Sequence, residues 1–185
     1  MRQEVSVRER LPVHSRPDAK ALQNHVLRID GLVEKCLALT LADLKSLPQE
    51  DLIDDFTCRE GWSVPNLRWS GVLLEAVFLL ARPHPNALHV QASAGGFSVS
   101  LPIERARRVL LALRLNEDWL ALEHGGPVRL VVSGGDCFTS IKWLDHLEFR
   151  SEPGPNTAKT IALARLSSSA AHHHKPSSGV PDPQE

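Results

Sequence analysis

The chain has 185 residues, with 21 Lys and Arg against 22 Asp and Glu, 42% hydrophobic residues and 23% charged ones. These proportions belong to an ordinary globular chain and exclude collagen, a wholly disordered chain and a charge-dominated tail. The length supports one domain with one real core, and the net charge of -1 argues against a dedicated nucleic-acid binder. No apolar run reaches the ~18 residues of a membrane-crossing helix, so no transmembrane segment is expected. Met1–Arg10 is polar and lacks an apolar signal segment, so a cytoplasmic location is expected. The three cysteines, Cys36, Cys58 and Cys137, are widely spaced and include no CxxC pair, which argues against a structural zinc site and a disulfide framework. Tyrosine is absent, so no mechanism here uses a phenol.

In chain order, residues 1–25 are polar, carry Pro12 and Pro17, and read as an extended arm. Val26–Asp30 alternates apolar and polar residues, the pattern of a strand with one buried face, and Gly31 supplies a turn. Thr40 precedes Leu41, Leu44 and Leu47 with Asp43 three residues on, a capping-box start for a helix closed by Pro48. Leu73, Leu74, Val77, Phe78 and Leu80 predict a second helix over about Gly71–Ala81, ended by Pro83 and Pro85. Leu88–Ala92 and Phe97–Leu101 alternate on either side of Gly95-Gly96, a hairpin signal. Val109–Leu115, Val128–Val132 and His146–Phe149 complete the expected strands. Residues 151–185 hold five prolines, no aromatic residue and the run His172-His173-His174. Apart from a short helix near Thr160–Leu166, disorder is expected there; the three histidines read as a weak metal-binding run or as a solvated tail.

Three clusters could carry chemistry. Cys58 follows Phe56-Thr57 and precedes Arg59, a cation that favours thiolate. A thiolate is a soft metal ligand, although a buried structural cysteine is the commoner fate. His124-Gly125-Gly126-Pro127-Val128-Arg129 is a tight turn feeding a buried strand. Arg129 there needs a partner, either a phosphate held bidentately or an internal carboxylate or carbonyl. Thr139-Ser140-Ile141-Lys142-Trp143-Leu144 follows Gly134-Gly135. It reads as an anion cradle or, more plainly, as a lysine stem packed on a tryptophan. Trp62, Trp69 and Trp143 are candidates for a substrate mouth or for core.

Taken in order, Leu27–Val33, the Cys58 segment with Trp62-Ser63, Trp69–Leu74, Gly96–Pro102, His124–Val132 and Ser140–Leu144 resemble the molybdopterin-binding domain of the sulfite oxidase family, over residues 26–150. The Cys58 segment is closer to the bacterial sulfoxide-reductase-like branch. The resemblance implies an α+β fold with a mixed, mostly antiparallel β core and short peripheral helices. It implies a molybdopterin cofactor, Cys58 as the thiolate ligand of molybdenum, His124 and Arg129 on the pterin and its phosphate, and Ser140 and Lys142 in the segment closing over the pterin. The implied chemistry is two-electron oxygen-atom transfer on a small-molecule substrate. Glu60-Gly61-Trp62 stands where the family's sulfite oxidases place an arginine pair, and an acidic residue there repels sulfite. The chain carries no haem-attachment CxxCH and no flavin fingerprint, so electrons are expected from a separate electron-transfer protein. The competing reading is a non-catalytic cofactor-binding or degenerate domain of the same fold, since fold does not imply function. On either reading the pocket is expected where the Cys58 loop meets the loops at Gly125 and Gly134.

Overall fold

The computed structural model describes residues 24–57 and 62–172. Among these residues ten strands form two sheets. β1 (Val26–Gly31) has Leu27 and Ile29 buried and Arg28 exposed, as its alternation dictates. Gly31 turns the chain at φ 85°, where a Cβ would lie 2.3 Å from the Phe149 carbonyl oxygen. β2 (Leu37–Thr40) leads into α1 (Leu41–Ser46) through a complete capping box. The Thr40 hydroxyl accepts from the Asp43 N–H at 3.2 Å, and the Asp43 carboxylate accepts from the Thr40 N–H at 2.8 Å.

β3 (Glu50–Thr57) and β4 (Ser63–Leu73) form an antiparallel hairpin that the sequence reading does not anticipate. β3 is an acidic edge strand, and charge on an edge weakens its alternation signal while discouraging unwanted pairing. β4 also corrects the predicted helix start. α2 runs Leu74–Ala81, because Gly71, Val72 and Leu73 remain in the ladder with Ala112, Leu111 and Leu110. A short apolar run does not by its spacing distinguish a buried strand from a helix.

β5 (His89–Ala94) and β6 (Phe97–Pro102) form the expected hairpin around Gly95 at φ 56°. α3 (Ile103–Ala106) precedes β7 (Leu110–Leu115), β8 (Asp118–Trp119), β9 (Arg129–Val131) and β10 (His146–Arg150). The first sheet has the order β2-β1-β10-β5-β6, with β1 and β10 parallel. In the second, β3-β4-β7-β8, β9 also pairs with β7 and all pairings are antiparallel. The expected α+β class with a mostly antiparallel, partly mixed core holds. β10, a faint pattern in the sequence, lies inside the first sheet between β1 and β5.

β7 has a core on each face. Leu111 and Leu113 join the large core with Leu27, Ile29, Phe78 and Phe149, whereas Leu110 and Ala112 join a smaller one with Phe56, Leu67 and Trp69. Burial on both faces explains its unbroken apolar run.

Beyond Ser151 the structure differs from the expected disorder. α4 spans Thr157–His172, longer than the predicted Thr160–Leu166, and its approach segment is anchored. Gln91 and Ser98 side chains donate to the Pro155 carbonyl at 2.7 and 2.9 Å, the Ser98 N–H donates to Thr157 Oγ1 at 2.8 Å, and Ala158 is buried. Polar composition hides this docking because its contacts are nonlocal. The arm up to residue 23 and the tail from residue 173 lie outside the described residues. No described helix is long and apolar enough to cross a membrane.

Candidate functional site

Strand parity places Arg129. Its neighbour Leu130 enters the large core, so Arg129 and Val131 face the smaller one. Arg129 pairs in register with Ala112, whose small side chain leaves room. Its guanidinium carbon lies 4.8 Å from the Phe56 ring centre and 5.2 Å from that of Trp69. Aromatic faces replace part of the hydration lost at 4% exposure. Nη1 donates to the His124 carbonyl at 2.9 Å, and the buried Nε has no acceptor among the described residues. Burial pushes the guanidinium down to about 10, with Cys137 acting in the opposite direction.

The turn before Arg129 has an unusual set of partners. The carbonyls of Leu122, Glu123, His124 and Gly125 accept, in that order, from Trp143 Nε1 at 2.7 Å, Lys142 Nζ at 2.8 Å, Arg129 Nη1 at 2.9 Å and the Trp143 N–H at 2.9 Å. The turn is a 3-10 segment, Leu122–His124, ended by Gly125 at φ 103°. A side chain at Gly125 would come within 2.7–3.0 Å of Lys142, so glycine is required for Lys142 to cross the turn. Burial pushes Lys142 down to about 8, the Arg129 charge adds to the effect, and Glu123 opposes it. His124 itself is 5% exposed.

The glycine loop behaves differently from the anion cradle expected of it. The Gly134 N–H donates to Asp54 Oδ2 at 3.1 Å, the Gly135 N–H to the Val132 carbonyl at 3.1 Å, and the Thr139 hydroxyl to the Asp136 carbonyl at 2.7 Å. Ser140 is buried, and its oxygen accepts from the Val132 N–H at 3.3 Å. These groups brace the loop, and the cationic character of the site comes from Arg129 and Lys142.

Cys58 and residues 59–61 lie outside the described residues, but their attachment points do not. β3 ends at Thr57, which pairs with Ser63 at the start of β4. Phe56 carries the Arg129 contact and stacks on Trp62 at 6.0 Å, while Asp54 holds the Gly134 loop. The end of β3 that leads into Cys58 therefore touches both Arg129 and the Gly134 loop, and the Gly125 turn reaches it through Arg129. Trp69 is fully buried core, whereas Trp62 and Trp143 are half-buried. Sequence reasoning missed Phe56 and the carbonyl partners of Lys142 and Trp143. Only the required glycine at 125 hinted at that crossing. Among the described residues no group of three or more His, Cys, Asp or Glu side chains converges as a metal site. A groove of about 520 Å³ beside Phe78, Leu79, Leu88 and Arg107 includes none of the site residues.

A family model described as oxidoreductase molybdopterin binding domain matches residues 13–158. The uncharacterized oxidoreductase YuiH of Bacillus subtilis is 32% identical over 132 residues, covering 70% of this chain and 67% of that protein. The protein-methionine-sulfoxide reductase catalytic subunit MsrP of Campylobacter jejuni is 29% identical over 160 residues, covering 76% of this chain and 54% of that one. Sulfite oxidase of Arabidopsis thaliana is 26% identical over 174 residues, 74% of this chain and 44% of that one. The crystal structure of the sulfane dehydrogenase SoxCD from Paracoccus pantotrophus superposes with a TM-score of 0.66 at 27% identity, covering 70% of this chain and 39% of that one. The chain thus spans about two thirds of YuiH and about half or less of the other relatives. With the model matched across the whole two-sheet core and the site segments in their expected order, the chain belongs to the oxidoreductase molybdopterin-binding domain family, the sulfite-oxidase-like molybdopterin-dependent oxidoreductases.

Proposed function

We propose that this chain catalyses two-electron oxygen-atom transfer on a small substrate, with the Cys58 thiolate ligating molybdenum. The observation that carries the reading is Arg129, a cation at 4% exposure whose Nε has no acceptor among the described residues. A buried charge with an unmet donor is costly, and an anionic group such as a pterin phosphate relieves that cost. Lys142 adds a second, part-buried cation whose amine is pushed down by burial and further by the Arg129 charge, so the pair fits an anion. When bound, the molybdenum cofactor supplies the oxygen-atom and electron chemistry, while the protein orients and tunes it.

Arg129 and Lys142 would hold the anionic end of the cofactor, with His124 beside them at the end of its turn. Ser140, through the Val132 N–H, keeps the closing segment in place. The side chains of Phe56 and Trp69 keep water from the guanidinium and so strengthen its grip on an anion. β3, whose Phe56 touches Arg129, ends at Thr57, the residue before Cys58 in the sequence, and this supports a role for Cys58 beside the two cations. Electrons would be exchanged with a separate electron-transfer protein. A cytoplasmic location is part of the proposal, in keeping with the odd cysteine count.

Metal analysis of protein from molybdenum-replete cells should find about one molybdenum per chain, as one ligand cysteine per site requires. Cys58→Ser should abolish turnover with sulfoxides or related oxygen donors. A folded native protein free of both molybdenum and pterin would overturn the reading. Bound pterin without turnover would select the non-catalytic alternative.

A further inference from the structure

Resting on the cofactor-binding reading above, we propose that Trp143 is a positioning residue: its indole N–H and backbone N–H clamp the Leu122–Gly125 turn, and this clamp aims Arg129 and Lys142 at the cofactor. The two bonds bracket the turn. Nε1 donates to Leu122 at 2.7 Å and the backbone N–H donates to Gly125 at 2.9 Å. Between these anchors lie the Glu123 and His124 carbonyls, which orient Lys142 and Arg129. Both cations thus take their direction from a stretch of backbone that Trp143 holds at each end.

The backbone of Trp143 supports the assignment. Its φ is 57°, a left-handed conformation that a bulky side chain adopts at a cost. Such a residue persists where its surroundings require it. Here the left-handed turn lets adjacent side chains reach adjacent carbonyls, with Lys142 on Glu123 and Trp143 on Leu122. The next N–H along, Leu144 to the Val128 carbonyl at 2.9 Å, and Leu130 to the Ile141 carbonyl at 2.9 Å, lock the same segment to β9 and its approach. Residues 141–144 therefore form a strap across the turn, and the indole is its outer fastening. Lys142 Nζ also lies 5.7 Å from the indole ring centre, so the ring flanks the ammonium it helps to place.

The experiment removes one atom's function. Trp143 is replaced by its benzothiophene isostere, which keeps the bicyclic shape and lacks the N–H. In native holoprotein, pterin release is followed by its fluorescence. The isostere should release pterin about tenfold faster, the effect of losing one part-buried hydrogen bond that holds the turn, with the thermal midpoint within a few degrees of the wild type. Trp143→Phe should act in the same direction. A release rate within twofold of the wild type in both variants overturns the proposal. A second measurement needs no variant. In the unaltered apoprotein the Trp143 indole N–H should exchange with solvent at least ~100-fold more slowly than that of Trp119, which is 51% exposed; equal exchange also overturns the proposal. If the native protein carries no pterin, the cofactor reading fails separately, and the apoprotein exchange still decides whether the clamp exists.

Discussion

Arg129 Nη1 donates to the carbonyl oxygen of His124 at 2.9 Å, so a guanidinium almost closed off from water is oriented by the backbone five residues before it. A neutral acceptor fixes direction without cancelling charge. A carboxylate there would have neutralised Arg129, whereas a carbonyl leaves its charge available to a ligand.

Arg129→Gln tests that distinction. Glutamine keeps a polar amide at the position and removes the buried charge. The apoprotein should unfold at the same or a slightly higher urea concentration, because an unpaired buried cation is unfavourable. Pterin release should accelerate by about 10–100-fold, the loss of a charge-assisted hydrogen bond. A marked fall in apoprotein stability with unchanged release would show Arg129 to be structural instead.

Lys142 makes stability depend on pH in a defined direction. Its amine is pushed down from 10.5 to about 8 in the fold. Below pH 8 both folded and unfolded chains hold the proton, and the cost of the buried charge is fully felt. Between about 8 and 10.5 the unfolded chain holds more protons than the folded one, so stability rises with pH. Relative to Lys142→Met, the wild-type apoprotein should gain about 1–2 kcal/mol across that interval, reduced from full linkage because the side chain is part-exposed. Urea unfolding at a series of pH values measures the difference, and parallel curves for the two proteins would refute it.

Gly125→Ala and Gly95→Ala separate backbone strain from collision. Both glycines have positive φ, but a Cβ at 95 meets nothing within 4 Å, whereas one at 125 meets Lys142 at 2.7–3.0 Å. Gly95→Ala should cost about 1 kcal/mol from the left-handed conformation alone. Gly125→Ala should cost about 2–3 kcal/mol and also speed pterin release. Equal losses in thermal unfolding would mean that Lys142 moves aside freely.

Thr157 anchors α4, since its hydroxyl accepts from the Ser98 N–H at 2.8 Å and donates to the Gly96 carbonyl at 2.9 Å. Thr157→Ala should destabilise the protein by about 1–2 kcal/mol, the cost of leaving those backbone groups unmet. A variant as stable as the wild type in urea would mean that the helix contributes nothing to the fold.

Local signals were read correctly wherever one short segment carried its own reason. The capping box at Thr40, the Gly95-Gly96 hairpin and the alternation of β1 are all set by neighbours within a few residues. Cys58, His124, Arg129 and Lys142 stood out as chemistry-bearing types, and the ordered segments around them carried the family. The extent of β4, the β3–β4 hairpin, the place of β10 within its sheet and the docking of α4 were not legible. Each depends on a partner far along the chain, such as Ala112 for Gly71 or Ser98 for Thr157.

Residue type and short-range spacing therefore decided that this chain carries a thiol, two cations and a glycine turn in the order of a known family. Long-range pairing decided what those groups touch. The ladder between β7 and β9 turned Arg129 toward Phe56 and Trp69, and the strap at residues 141–144 set Lys142 and Trp143 on successive carbonyls. Periodicity tells which face a side chain takes, but the group waiting on that face comes from wherever the chain folds back.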